Sequence, residues 1–343
     1  MAFRALVIRG RSAPLTRLPV RVCRHIGRQV ENWFRRQVDR RRSTTISDED
    51  FADVLQLGKE RTVQMALQEW QPLLDSDSLS LVLKQADVRA QAGFTDRAIE
   101  SLAHRFDLLG SEPFFVSYTS SARGAYGRSY KMAPGKEAEH KQLVEMGEHL
   151  NKASQVTNDS SAALDDLRVA IDPKHSTYRP VDWHVDFKSG YRWNKRTWAM
   201  DIRYGHLHGV DIKVPWELSR AHHLAILGIY ALTTDQIKTV ANEVSLELLD
   251  WITANPPRFG VNWRSAMDVA IRAVNWIWVL TLFDGRQAIP LTVKWLVTKS
   301  LYQHALHIES NLDNLETYTT NHYLADVIGL MYIAFSFPQF PRS

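Results

Sequence analysis

The chain has 343 residues, 45% of them hydrophobic and 23% charged, which supplies core for one large domain or two ordinary ones and excludes a disordered polymer. A single cysteine, Cys23, excludes an intramolecular disulfide framework and a cysteine-based zinc cluster. The formal charge is only +4, and the first 42 residues carry twelve Arg against Glu31 and Asp39, so the near-neutral remainder does not suit a dedicated nucleic-acid binder.

The basic stretch 1–46 reads as an arm holding one solvated amphipathic helix, Val30 to Val38, on which Trp33 and Phe34 pack. Its composition, rich in Arg and poor in acids, is similar to a mitochondrial targeting sequence, and it lacks the apolar run and cleavage context of a secretory signal. A helical segment, 47–110, follows. Ser47-Asp48-Glu49-Asp50 places acids in a first turn, where the helix dipole favours them. Helical patterns continue over 63–74, 79–90 and 96–109, with Gly110 as the expected C-cap. Residues 111–180 read as an irregular insert with one polar helix near Lys136–Ala153.

The stretch from Asp182 to Trp193 mixes aromatics and charges without a helical or strand period, which predicts a long ordered loop. Trp193, Trp198 and Trp216 form either a stacking platform or a plug at the end of the domain. From Pro215 onward five apolar stripes recur at helical spacing: Leu218 to Leu232, Ile237 to Trp251, Met267 to Trp278, Leu301 to Ile308, and Leu324, Ile328, Met331 and Phe335. The longest apolar run, Val274 to Phe283, is too short to span a bilayer, so no transmembrane segment is expected. Short connections make successive helices antiparallel neighbours. The expected fold is all-α: a row of helical hairpins over 181–343, curved into a solenoid or toroid and preceded by the basic arm.

Tyr318-Thr319-Thr320-Asn321-His322-Tyr323 gathers an amide, an imidazole, hydroxyls and phenols at the start of the last helix. Unpaired N–H groups and the dipole make such a terminus a place for an anion. An ordinary N-cap by Thr319 or Thr320 is the plainer alternative. Arg220 and Arg264 are further anion anchors, since guanidinium forks match planar anions. Glu217 and Asp268 are either paired acid–base carboxylates or, respectively, a helix-start residue and a partner of Arg220 or Arg264. His206, His208, His222 and His223 lack a carboxylate at ligand spacing, and His304 and His307 share one helix face, so no metal is expected.

Several ordered motifs together resemble the heparinase II/III-like polysaccharide lyases. They are Asp182-Trp183-His184 with Phe187 to Trp193, Asp211-Ile212-Lys213 with Trp216 to Arg220, Gly260-Val261-Asn262-Trp263 with Met267-Asp268-Val269, Asn321-His322, and Phe337 to Pro341. The resemblance covers residues 98–109 and 182–343 and implies that the hairpins of 181–343 form an incomplete (α/α) toroid. It implies cleavage of uronic-acid polysaccharides of the glycosaminoglycan or alginate type by β-elimination, and with that substrate a periplasmic or extracellular place. The absence of an export signal favours a cytoplasmic one. It also implies that Asn321 meets the uronate carboxylate and that His322 supports it or assists proton transfer. Trp193, Trp216, Arg220, Trp263, Arg264, Tyr318 and Tyr323 are the expected substrate-binding residues, the partner an acidic polysaccharide, and no cofactor is expected in this chain.

Two departures qualify what is carried over. Thr320 stands where the family pattern has a second Asn, and the family's catalytic Tyr and its metal-bearing region would lie beyond Ser343. The expectation is therefore a lyase-like toroid lacking the full proton-transfer set. A non-catalytic polysaccharide-binding or scaffold protein is the alternative, and a toroid glycoside hydrolase using Glu217 and Asp268 comes third.

Overall fold

The computed structural model divides into two compact units, 1–43 and 44–343. It describes residues 30–31, 33–39, 41, 44–58, 60–85, 88–130, 135–234, 236–284, 288–313 and 320–341. In the first unit residues 33–39 are helical. The Trp33 and Phe34 rings meet edge to face at 4.9 Å. Both stay more than half exposed, so this pair packs on itself and not into a core.

The second unit is all-α, as the periodicity requires, with twelve helices among its described residues. They are α1 (Asp48–Val54), α2 (Val63–Gln68), α3 (Ser76–Lys84), α4 (Val88–Leu102), α5 (Gly135–Thr157), α6 (Ala162–Ala170), α7 (Lys213–Ser219), α8 (His222–Thr233), α9 (Ile237–Ala254), α10 (Ala266–Phe283), α11 (Leu291–Ser310) and α12 (Asn321–Ser336). Local chemistry sets many of the starts. Ser47, Thr62, Asp75, Ser161, Ser265 and Thr320 each accept a hydrogen bond from the backbone N–H three residues on, which satisfies one orphan donor of the first turn.

Helices α8, α10 and α12 lie side by side and run in the same direction. Asn275 reaches His222 at the start of α8, and Gly228 further along α8 faces Leu282 further along α10. The ends of α10 and α12 are held by one segment: Trp70 Nε1 donates to Asp284, Leu73 N to Thr281 Oγ1, and Gln71 N to the Ser336 carbonyl. Helix α9 runs the opposite way, since His223 pairs with Glu247 while Ser219 meets Trp251. Helices α5, α9 and α11 pack on one another as a second layer. The core between the layers is rich in Trp, Leu, Val and Ala; Trp251, Trp276 and Trp295 are fully buried. Helix α10 is long and apolar enough to cross a membrane, and most of it is buried inside this unit.

Several local expectations change. Helices α2 and α3 are shorter than the patterns at 63–74 and 79–90, and α4 starts and ends earlier than the pattern at 96–109. Gly110, at φ +68°, follows a two-residue strand, β1 (Arg105–Phe106), which pairs with β2 (Phe114–Phe115), so it caps no helix. The stretch 182–193 contains a tight hairpin, β3 (Val185–Asp186) with β4 (Tyr191–Arg192). Its turn needs Gly190, whose φ is +84° and whose missing side chain leaves room for the Tyr130 carbonyl. Strands of two residues are too short to show a period. The stripe from Leu218 to Leu232 is cut in two by Ala221, buried in the left-handed conformation at φ 61°. Helix α12 forms as expected, but Leu324, Ile328, Met331 and Phe335 face outward, and Asp326, Gly329, Ile333 and Ser336 are its buried face.

Candidate functional site at the start of three parallel helices

Because α8, α10 and α12 are parallel, their N-termini lie at one end of the unit, together with the C-terminal ends of α9 and α11. The hairpin of 182–193 is fastened to this end by Asp250 on α9. Its Oδ2 accepts from Val181 N at 2.8 Å, Tyr178 OH at 3.1 Å and Trp183 Nε1 at 3.1 Å, while Oδ1 accepts from Gln142 Nε2 at 2.8 Å. Burial nevertheless raises the Asp250 carboxyl to about 6. Nearby, Arg192 Nε donates to both oxygens of buried Asp182 at 2.9 Å. A cleft of about 410 Å³ opens beside them, lined by Tyr118, Lys141, Glu145, Arg192, Trp193 and Lys195 among others. Its charges are paired internally, because Glu145 meets Lys195 at 3.1 Å and Lys141 at 3.8 Å.

The tryptophans form the plug and not the platform. Trp193 and Trp198 are 4% and 5% exposed, and the Trp193 indole N–H donates to the Arg203 carbonyl. Trp216 is half-buried and donates to the Val261 carbonyl at 2.9 Å. Trp263 has no exposed surface, donates to the Asn255 carbonyl, and packs on His304 and His307. A ring sealed in this way cannot stack on a sugar, so Trp263 serves the fold. Behind it lies Arg272, fully buried, 4.0 Å above the Trp251 ring. Arg272 Nε donates to His304 Nε2 at 2.9 Å, and His304 Nδ1 donates to the Ser300 carbonyl at 2.7 Å, the pattern of a neutral imidazole. Burial holds His304 well below its ordinary value and lowers Arg272 to about 9.

The proposed anion anchors differ in availability. Arg220 is occupied by two carboxylates, its Nε on Asp268 Oδ1 at 2.7 Å and its Nη1 on Glu217 Oε2. Asp268 is 1% exposed and Glu217 only partly open, so this pair clamps Arg220 and presents no free acid–base couple. Arg264, just before α10, pairs with no carboxylate among the described residues. It lies over the exposed Tyr204 ring at 5.6 Å, with Nη1 near Met200 Sδ.

At the start of α12 the cap and the exposed pair coexist. Thr320 Oγ1 accepts from Tyr323 N at 3.2 Å, which leaves Asn321 and His322 exposed on the first turn. His322 Nδ1 meets Asp313 Oδ2 at 3.2 Å, a partner nine residues back that sequence spacing gave no reason to choose. Such a contact fixes the ring and leaves Nε2 as the working nitrogen. Beneath it Asp326 is buried and accepts from Asp313 N at 2.9 Å, and desolvation raises its carboxyl to about 6. Tyr323 is half-buried, and Tyr318 lies outside the described residues.

The end of the unit therefore offers an amide, a carboxylate-held imidazole and a guanidinium without a carboxylate partner among the described residues, next to parallel helix N-termini. Nothing among curated proteins or solved structures matches the chain. The family described as Heparinase II/III N-terminus matches residues 131–343, which includes the stretch 131–181 that the sequence motifs left out and stops short of 98–109. That match covers more than half of the chain, which belongs to the heparinase II/III N-terminal family.

Proposed function

We propose that this chain is a polysaccharide-lyase-like protein that takes a uronic-acid-containing polymer at the start of α12. The observation that carries the reading is the exposed pair Asn321 and His322 on the first turn of a 16-residue helix, with His322 held by Asp313. In β-elimination next to a uronate, a base removes the C5 proton, the C4–O bond breaks, and the leaving oxygen is protonated. The carbanion forms readily only if the carboxylate charge is quenched. A fixed amide donor such as Asn321 does this as an oxyanion hole does, at about 3–4 kcal/mol per donor. The helix N-terminus adds to the same field. His322 is the group within the pair able to carry a proton, through Nε2.

The test is incubation with heparan-type and alginate-type polymers while the ultraviolet absorbance of the new conjugated double bond is followed. Product on one of them, lost in Asn321→Ala and His322→Ala, supports the reading. A rise in reducing ends without that absorbance refutes it in favour of hydrolysis, which the occupied Glu217 and Asp268 already disfavour. A non-catalytic binding role is the second reading. It is favoured by Tyr323, the one phenol beside the pair among the described residues, being half-buried. Binding of the polymer without turnover would select it.

A further inference from the structure

We propose that His104, Glu243 and Glu247 form a site for a divalent transition-metal ion of the zinc type, with His223 orienting Glu247 from outside the ligand set. The four residues come from three places: His104 from the turn between α4 and β1, His223 from the first turn of α8, and the two glutamates from one face of α9 at a spacing of four. One ring nitrogen of His104 and one oxygen of each glutamate lie within 4.8 Å of one another. Donors around a tetrahedral ion, at about 2.0–2.2 Å from it, sit roughly 3.4 Å apart, so shifts of about an ångström would seat one.

Two further features point to a ligand and not to a pair of ion pairs alone. His223 Nε2 meets Glu247 Oε2 at 2.8 Å, while Glu247 Oε1, in a residue with no exposed surface, has no hydrogen-bond partner among the described residues. A buried carboxylate oxygen without a donor is costly, and a metal ion is the partner that would repair it. An imidazole bonded to the outer oxygen of a ligating carboxylate is the usual way such a ligand is held. The remaining contact, His104 Nε2 to Glu243 Oε1 at 2.7 Å, would open to admit the ion. One imidazole nitrogen and two carboxylate oxygens suit zinc, manganese or ferrous iron better than calcium or magnesium. Glu243, with its side chain 20% exposed, gives the path of entry and room for a water as a fourth ligand. His104 lies outside the residues matched to the family, so the ion would tie the N-terminal helices to the helical layers.

This site is separate from the α12 pair and stands or falls without the polysaccharide reading. The experiment uses the full chain, free of any affinity tag and stripped with a chelator, titrated with zinc ion by calorimetry and by thermal melting. One equivalent should bind, and the melting temperature should rise by about 4 °C at a hundredfold excess over Kd. Glu247→Gln and Glu243→Gln should each abolish both responses, with folding checked by circular dichroism. His175→Ala, which removes an exposed histidine elsewhere, should leave them unchanged. Absence of stoichiometric binding by the parent protein would overturn the site whatever the variants do. Binding that survives both glutamine variants would overturn it as well, because the ion would then sit elsewhere.

Discussion

Gly329 of α12 rests directly on Ala270 of α10: a side-chain carbon at 329 would lie 2.6 Å from Ala270 Cβ and 2.9 Å from its Cα. This approach sets how deep α12 sits, and with it the place of Asn321 and His322 two turns earlier. Alanine is the better helix former by about 1 kcal/mol. Gly329→Ala should nevertheless destabilise the protein by about 1–2 kcal/mol, because the two helices must move apart. It should also weaken polymer binding. Urea unfolding gives the first quantity, and a variant as stable as its parent would show that the helices are not in contact here.

Asp268 and Arg220 form a clamp with one buried and one half-open partner. Removing the carboxylate alone leaves Arg220 with Glu217, so Asp268→Ala should cost about 3 kcal/mol, the lower end for a broken buried pair. Glu217→Gln, at a site 23% exposed, should cost less than about 1 kcal/mol. The double replacement Arg220→Met with Asp268→Leu should be more stable than Asp268→Ala. Denaturation midpoints of the three variants decide this. If Glu217→Gln proved the most damaging, the clamp would be wrongly ordered.

The helices were legible because apolar residues recur at their period and because Ser, Thr or Asp stands at many of their starts. The faces were not. In α12 Leu324, Ile328, Met331 and Phe335 point out, while Asp326, Gly329, Ile333 and Ser336 point in, and at Gly329 the close approach to Ala270 leaves no room for a side chain. The roles of the tryptophans also lay beyond the sequence. A plug and a platform share one composition, and what separates them is whether each indole finds an acceptor inside, such as the Arg203, Val261 and Asn255 carbonyls. The exposed Asn321–His322 pair was visible as a motif, but its partner Asp313 was not, because a separation of nine residues matches no helical spacing. His223 lacked a carboxylate in its own stretch and gains Glu247 only through the antiparallel packing of α8 and α9.

Asp250 takes three donors from residues 178–183 at the foot of the hairpin and a fourth from Gln142 on α5, so its loss should be felt locally first. Asp250→Asn turns at least one acceptor into a donor facing a donor, and should destabilise by about 3–4 kcal/mol. Hydrogen exchange should quicken in peptides covering 178–193 before the helices of the core respond. Uniform quickening across the whole unit would mean that Asp250 supports the core and not the hairpin in particular.

The Asp326 carboxyl is raised from 3.8 to about 6, first by desolvation and further by the charge of Asp313, with His322 opposing. A carboxyl raised in the folded state favours folding while it is protonated. That contribution is full below about 4 and is lost as pH rises through about 6. Asp326→Asn keeps an oxygen for the Asp313 N–H and cannot ionise. Its stability relative to the parent should therefore be lowest near pH 4 and should climb to a plateau above pH 7, by about 1–3 kcal/mol over the whole range. Urea unfolding of both proteins at steps between these limits measures the difference directly, and titrating groups that do not interact with Asp326 cancel in it. Two parallel curves would mean that Asp326 is already charged in the folded protein, and that the ground beneath His322 is wetter than its burial implies.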